Sequence, residues 1–365
     1  MLARVQCYTG TMRSFRIAVI AGDGVGQEVI PEGLRILERA ARQEQVKFDF
    51  EHFPWGADFY FANGRMAPAD YIDTLRPFNA ILLGAVGHPE IPDHVTLNGL
   101  LLPIRRHFDQ YTNVRPAIHY DGVRSPLALR KSEKIDMVVV RENTEGEYAQ
   151  VGGFVYEKQA DEVAIQTSVF TRRGCERIIR YAFELARRRN GKKRVASITK
   201  SNAQGFSMVL WDRTFAAVAA EYADIATESL LIDAAAMNFV RRPESFDVVV
   251  ASNLFGDILS DLSAILVGSM GLAPSANIDP SRRFPSMFEP VHGSAPDIAG
   301  KGVVNPLATI LCVAQLLEHL ELHSSATSLH RAVAKAMATS NAKTPDLGGT
   351  ATTKEVTEAV LNCWE

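Results

Sequence analysis

The chain has 365 residues, 47% of them hydrophobic, with 39 basic against 42 acidic side chains and a net charge of -3. Its length exceeds a usual single core and predicts two domains, while near-neutrality excludes a global field that would draw nucleic acid or an anionic membrane surface. No apolar run approaches the roughly 18 residues of a membrane span. Cys7, Cys175, Cys312 and Cys363 fall far apart with no paired spacing, so neither a disulfide framework nor a zinc site is expected, and a reducing compartment, the cytoplasm, fits best. Residues 1–14 are acid-free and contain Arg4 and Arg13, but lack the apolar core of a secretion signal. With Met12 just before the first strand, they read as a tail or an upstream start rather than a transit sequence.

Strand-like runs at 17–21, 46–53 and 80–85 alternate with a helix at 27–43 and a helical stretch ending at Leu75. A second block repeats the alternation, with strands at 137–140, 164–170, 195–199 and 247–251 and helices at 171–189 and 207–222. This predicts an α/β fold on a largely parallel sheet. Residues 149–162 are polar, glycine-containing and interrupted, which suits an exposed arm. The basic cluster of Arg187, Arg188 and Arg189 with Lys192, Lys193 and Arg194 reads as a solvated helix end. After Gly271 the sequence is loop-rich, with Pro274, Pro280, Pro285, Pro290 and Pro296, before helices resume at Pro306.

The turn Gly22-Asp23-Gly24-Val25-Gly26-Gln27 superficially matches a dinucleotide fingerprint, but the third glycine comes one residue early. Asp23 also puts a negative charge where a pyrophosphate would approach. These glycines are better read as permitting a tight strand-to-helix turn with unusual backbone angles.

In DVVVASNLFGDILSDLSAIL, residues 247–266, Asp257 and Asp261 stand four apart on a predicted helix and share one face, where they repel by roughly a few tenths of a kcal/mol. Leu254, Ile258, Leu259, Leu262, Ile265 and Leu266 would partly desolvate them. Two accounts stay open on these residues: favourable placement near the positive end of the helix dipole, or a divalent cation between the carboxylates.

Several motifs in order carry a resemblance: GDGVG at Gly22, the arginines of PIRRHFDQYTNVRP, VVVRENTEGEY ending at Tyr148, ITKSNA around Lys200, IDAAAM at Asp233, NLFGDILSDL, and EPVHGSAPDIAGKGVVNP from Glu289. Over about residues 15–320 the chain resembles the β-decarboxylating dehydrogenases of (R)-hydroxy acids, the isocitrate, isopropylmalate and tartrate or D-malate dehydrogenases. The resemblance implies that family's two-domain α/β fold with a central mixed sheet, not a Rossmann fold. Residues 1–110 plus 268–365 would form a discontinuous cofactor domain, and residues 111–267 a substrate and dimerisation domain with an arm near 149–165.

By the same resemblance, Arg105, Arg115 and Arg141 bind a small dicarboxylate, for which planar guanidinium forks are suited. Leu101 would line the pocket. Asp233, Asp257 and Asp261 are implied as ligands of Mn²⁺ or Mg²⁺, hard oxygen donors for a hard cation. Lys200 is implied as the general base and Tyr148 as the acid that protonates the enol carbon. Glu289 would lie near the nicotinamide, and His292, Gly293, Ser294, Ala295, Asp297 and Asn305 around the adenosine. Asp297 favours NAD over NADP, because a carboxylate accepts from ribose hydroxyls and repels a 2′-phosphate. A monovalent cation such as K⁺ is admitted as an activator.

Among family members the run through PDHVTLNGLLLPIRRHFDQYTNVRP looks most like the tartrate and D-malate enzymes, with oxidative decarboxylation of D-malate to pyruvate, or oxidation of tartrate, as the expected reaction. Asn98, Leu100, Pro103 and His88 depart from that branch. Leu101 and Leu102 keep 3-isopropylmalate as an alternative substrate. A noncatalytic regulatory subunit is the rival of another class, although Tyr148, Lys200 and the three aspartates are all present. The resemblance further implies a homodimer with shared sites, Lys200 and Asp233 from one subunit meeting Tyr148, Asp257 and Asp261 of the other.

Overall fold

The structure is a computed structural model that describes residues 12–130 and 133–365. The reading of the N-terminal tail rests on residues 1–11, Cys7 among them, which lie outside the described residues. Ten strands form one sheet: β1 (Ser14–Gly22), β2 (Lys47–His52), β3 (Ala80–Ala85), β4 (Thr112–Ile118), β5 (Asp136–Glu142), β8 (Arg194–Thr199), β9 (Ala226–Leu231), β10 (Val248–Ala251), β11 (Pro274–Ile278) and β12 (Ser286–Pro290). A separate two-stranded ribbon joins β6 (Gly146–Val155) to β7 (Val163–Val169).

The order across the large sheet is β2-β1-β3-β12-β11-β4-β5-β10-β8-β9. The flanks are parallel, whereas β11 runs antiparallel to both β12 and β4, and β4 antiparallel to β5. The sheet is therefore mixed, and the largely parallel reading holds only away from its centre. β3, β10 and residues 137–140 of β5 are apolar and buried because both faces of the sheet are covered there. The Gly26–Glu44 helix shows the complementary logic: Val29, Ile30, Ile36, Leu37 and Ala40 recur at helical spacing and are buried, and Gln45 ends the helix in the left-handed region at φ 53°.

The proline-rich stretch after Gly271 is not mainly loop. It supplies β11 and β12, with Ala276, Met287 and Phe288 fully buried, and Pro274 and Pro290 stand at strand ends, where a missing N–H is tolerated. The helical stretch before Leu75 is two short helices, Ala57–Asn63 and Tyr71–Leu75, the first stopped by Gly64 at φ 72°. The basic cluster is more than a solvated end. Arg189 bridges buried Asp247 at 3.0 Å and Asp136 at 2.7 Å, Arg187 pairs with Asp224 at 2.6 Å, and Lys192 donates to the Phe246 carbonyl at 2.7 Å.

The β6–β7 ribbon projects Val151, Phe154, Val155, Tyr156, Val163 and Ile165 into solvent. Met237 and Val240 on the Ile232–Arg241 helix, with Ile258 and Ile265 on the Asn253–Leu266 helix, are exposed as well. Among the described residues, no helix is long and apolar enough to cross a membrane.

Candidate active site

A cleft of about 190 Å³ opens between the ends of β3 and β12, the Leu102–His107 helix and β5. Its walls include Arg105, Arg115, Arg141, Tyr148, Asp257, Glu289, His292 and Gly293, with Leu97, Leu101 and Leu102 as an apolar rim. Arg105 comes from the helix, Arg115 from the middle of β4 rather than a strand end, and Arg141 from the penultimate position of β5. All three guanidiniums are buried.

Each arginine is held by a specific partner. Arg141 Nε and Nη2 donate to Asn253 Oδ1 at 3.0 and 2.7 Å, and its Nη1 contacts Asp257 Oδ1. Arg115 donates to Ser260 Oγ at 2.7 Å and to Asp257 at 3.3 Å, with Asp261 at 3.7 Å. Arg105 donates to Glu289 at 2.6 Å, and Asn277 donates to the same Glu289 oxygen at 2.8 Å. Burial, reinforced by the like charge of Arg115, pushes the Arg141 guanidinium down to about 10. Arg115 and Arg141 share Asp257 while Glu289 is taken by Arg105, so the three guanidiniums lining the cleft outnumber the two carboxylates that line it, a setting that favours an anionic ligand.

Tyr148 enters the cleft from β6, where the register shifts between Gly146 and Val151. Its hydroxyl donates to Asp257 Oδ2 at 2.9 Å, and the Arg141 guanidinium lies 5.2 Å from its ring centre. Arg106 donates to the Tyr148 carbonyl at 2.7 Å and to Gln150 at 2.6 Å, fixing the strand that carries the phenol. Burial and the neighbouring Asp257 push the phenol up, so it remains protonated at neutral pH.

The Asn253–Leu266 helix carries no acid in its first turn, which sets aside the dipole account of the Asp pair. Glu147 reaches its N-terminus instead, accepting from Leu254 N at 3.1 Å and Ser252 Oγ at 2.8 Å. Burial opposes the charge on Asp257, yet Arg141 and Arg115 outweigh it and hold the carboxyl below its usual range. Asp261 is raised by burial, with Arg115 opposing and Asp257 adding. Two carboxylates one turn apart, when ionised, are oxygen donors that could hold a hard cation. Asp233 does not join them in this chain. It begins the Ile232–Arg241 helix and accepts from Lys200 Nζ at 2.7 Å, and among the described residues no three His, Cys, Asp or Glu cluster in a metal-holding group.

The GDGVG turn also finds its use. Gly22 and Gly24 have φ 69° and 52°, and the Asp23 carboxylate is spent on Ala57 N at 2.7 Å and Gly87 N at 2.8 Å. Val25 N donates to Ser294 O at 2.9 Å, and Glu28 accepts from Gly300 N at 2.6 Å and Gly302 N at 2.8 Å. The turn thus anchors the HGSAPD loop. Of that loop His292 and Gly293 reach the cleft, Ser294 is buried against the turn, Ala295 takes φ 39°, and Asp297 is exposed with no helix starting behind it. Among the described residues, His292 Nε2 is buried without a hydrogen-bond partner. Asn305 lies outside the cleft lining and is committed to Asp346 at 2.9 Å and to Leu307 N at 3.0 Å.

Of the four departures, none lines the cleft. Leu100 is fully buried, Asn98 meets Gln150, Pro103 sits in the first turn of its helix, and His88 stands edge-on to Phe61. Asn253, Asn277 and Glu147 are the positioning groups that motif reading passed over, although Asn253 and Glu147 lie inside quoted motifs.

The isocitrate/isopropylmalate dehydrogenase family profile matches residues 16–360. The tartrate dehydrogenase/decarboxylase of Pseudomonas putida is 49% identical over 355 residues, 95% of this chain and 97% of that one. The D-malate dehydrogenase [decarboxylating] of Escherichia coli K12 is 50% identical over 355 residues, 96% of this chain and 98% of its own. Among solved structures, isocitrate dehydrogenase from Methylococcus capsulatus superposes with a TM-score of 0.85 at 34% identity, covering 96% of this chain and 99% of that one. The chain belongs to the isocitrate/isopropylmalate dehydrogenase family.

Proposed function

We propose that this chain catalyses the NAD-linked, divalent-metal-dependent oxidative decarboxylation of an (R)-malate-type 2-hydroxy acid, D-malate to pyruvate and CO2 or the corresponding oxidation of tartrate. The observation that carries this reading is the convergence of Arg105, Arg115 and Arg141 with Tyr148 and Asp257 in one cleft. Three buried guanidiniums in one cleft suit a small dicarboxylate, whose two anionic groups an apolar substrate does not offer. The named activities of the relatives in Pseudomonas putida and Escherichia coli are of this class.

Asp257 and Asp261, joined by Asp233 of a second copy, would hold Mg²⁺ or Mn²⁺, which supplies Lewis acidity to the substrate hydroxyl. Lys200 removes the hydroxyl proton as general base, and Tyr148 delivers a proton to the enol carbon after CO2 departs. The exposed apolar residues of the ribbon and of the two Asp-bearing helices support a homodimer with shared sites. Residues 1–110 with 268–365 form one lobe and residues 111–267 the other, their closure excluding water. His292, Gly293, Ser294, Ala295, Asp297 and Asn305 would hold the adenosine and Glu289 the nicotinamide side of NAD. K⁺ is an optional activator, and a reducing compartment such as the cytoplasm suits the enzyme.

A substrate panel tests the reading: D-malate, meso- and L-tartrate and 3-isopropylmalate with NAD and Mn²⁺, following NADH and CO2 together. D-malate or a tartrate should lead, and activity should vanish in excess EDTA and return with Mn²⁺ or Mg²⁺. Full turnover in EDTA overturns the metal assignment. 3-Isopropylmalate is the second reading, favoured by the rim of Leu97, Leu101 and Leu102.

The cofactor assignment has its own check. A methyl added at Gly24 would lie 2.1 Å from the Ser294 carbonyl oxygen at a φ of +52°. Gly24→Ala should therefore cost about 1–3 kcal/mol of stability and displace the HGSAPD loop. The expected kinetic result is a raised KM for NAD with substrate KM little changed; an unaltered NAD titration would count against the loop as cofactor seat.

A further inference from the structure

A second cleft, about 270 Å³, lies at the opposite end of the sheet, where β1, β3 and β12 begin. Nothing in the catalytic reading uses it. Four arginines, Arg13, Arg76, Arg282 and Arg283, line it with His319 and a single acid, Glu321. Phe15, Phe78 and Phe284 form its apolar surface. Arginines lie over these rings, Arg76 and Arg283 at 5.3 and 5.6 Å from the Phe284 centre and Arg13 at 5.2 Å from that of Phe15, within reach of a cation–π contact.

The acids nearby do not consume all this charge. Arg282 pairs with Glu321 at 2.5 Å, and Arg283 with Asp109 at 2.8 Å and Asp279 at 3.5 Å. Among the described residues, the one acid that pairs with Arg76 is Asp73, in an exposed contact at 3.4 Å. Arg13 donates to the Leu320 carbonyl at 3.2 Å and pairs with no acid among the described residues. Burial pushes the His319 imidazolium down to about 4, with Arg282 adding and Asp279 and Glu321 opposing. Arg282 and Glu321 both occupy the left-handed region, at φ 54° and 62°, a conformation that costs energy at non-glycine positions and gathers at functional sites.

We propose that this cleft is a second binding site, for a small multivalent anion bearing carboxylate or phosphate groups, held by Arg13 and Arg76 and flanked by the Phe rings. β12 runs from Ser286, beside this cleft, to Glu289 in the first one, and Arg283 grips Asp109 just beyond the helix that carries Arg105. An occupant would thus touch the same elements that position the catalytic arginines.

Calorimetric titration of the full chain with pyrophosphate and, separately, citrate tests the site. Wild type should show saturable binding of at least one, unchanged by Arg115→Gln in the catalytic cleft and weakened at least tenfold by Arg13→Gln combined with Arg76→Gln. Which anion binds separates phosphate from carboxylate recognition. Arg76→Gln alone changes an exposed side chain and should still weaken binding severalfold, so a misfolded double variant leaves the proposal testable. Absence of saturable binding, or binding lost with Arg115→Gln and kept in the arginine double variant, overturns it.

Discussion

Tyr148→Phe should lower kcat by roughly 10²–10⁴-fold, the span that positioned acid–base groups contribute, while KM for substrate and NAD stays within a few-fold of wild type. The geometry dictates the split. The phenol touches Asp257 through its hydroxyl alone, at 2.9 Å, and removal of that donor leaves Asp257 still contacted by Arg141 and Arg115. Substrate binding rests on the three guanidiniums, whose partners Asn253, Ser260 and Glu289 do not involve Tyr148. The ring itself, with Arg141 over it, is retained in phenylalanine. A single-turnover experiment with excess enzyme should then show NADH formed with its normal amplitude, followed by slow release of the decarboxylated product. A wild-type rate in this variant removes Tyr148 from the chemistry, and a large rise in KM with kcat intact assigns it to binding instead.

The parallel parts of the sheet were legible because β3, β10 and residues 137–140 of β5 are continuous apolar runs and the helices between them keep a 3.6-residue period. Its centre was not. β11 reads Pro-Ser-Ala-Asn-Ile, yet Ser275 and Asn277 are fully buried. Asn113 donates to Ser275 Oγ at 2.7 Å and to Asn277 Oδ1 at 3.0 Å, Asn143 donates to Asn277 Oδ1 at 2.9 Å, and Asn277 passes the chain to Glu289. A polar strand satisfied by other polar strands looks like a loop to any test of hydrophobic period. Its purpose is positional: with Arg105 it fixes the Glu289 carboxylate between two partners, and breaking so buried a pair costs about 3–5 kcal/mol. The site divides the same way. Motifs named the side chains of the cleft, and the split of Asp233 and Lys200 from Asp257 and Tyr148 within one chain was implied by the family resemblance, because residue spacing by itself carries no three-dimensional placement.

That split generates the other large expected effect. Lys200→Ala and Tyr148→Phe homodimers should each be nearly inactive, and mixing them under conditions that exchange subunits should restore activity to about a quarter of wild type, from random pairing of two chains about a two-fold axis. In a mixed dimer one site collects both lesions and the other receives Lys200 from the Tyr148→Phe chain and Tyr148 from the Lys200→Ala chain. Within one chain Lys200 contacts Asp233, neither lines the cleft that holds Tyr148, and the helices bearing the aspartates expose Met237, Val240, Ile258 and Ile265. An apolar face beside incomplete chemistry is what a second copy would cover and complete at once. If the two residues acted within one chain, every site in the mixture would still carry one lesion and no activity would return. Charged substitution at Ile258 should separate assembly from chemistry: Ile258→Lys is expected to yield monomers that retain the fold by circular dichroism but have lost turnover, and a fully active monomer would dissolve the shared-site assignment.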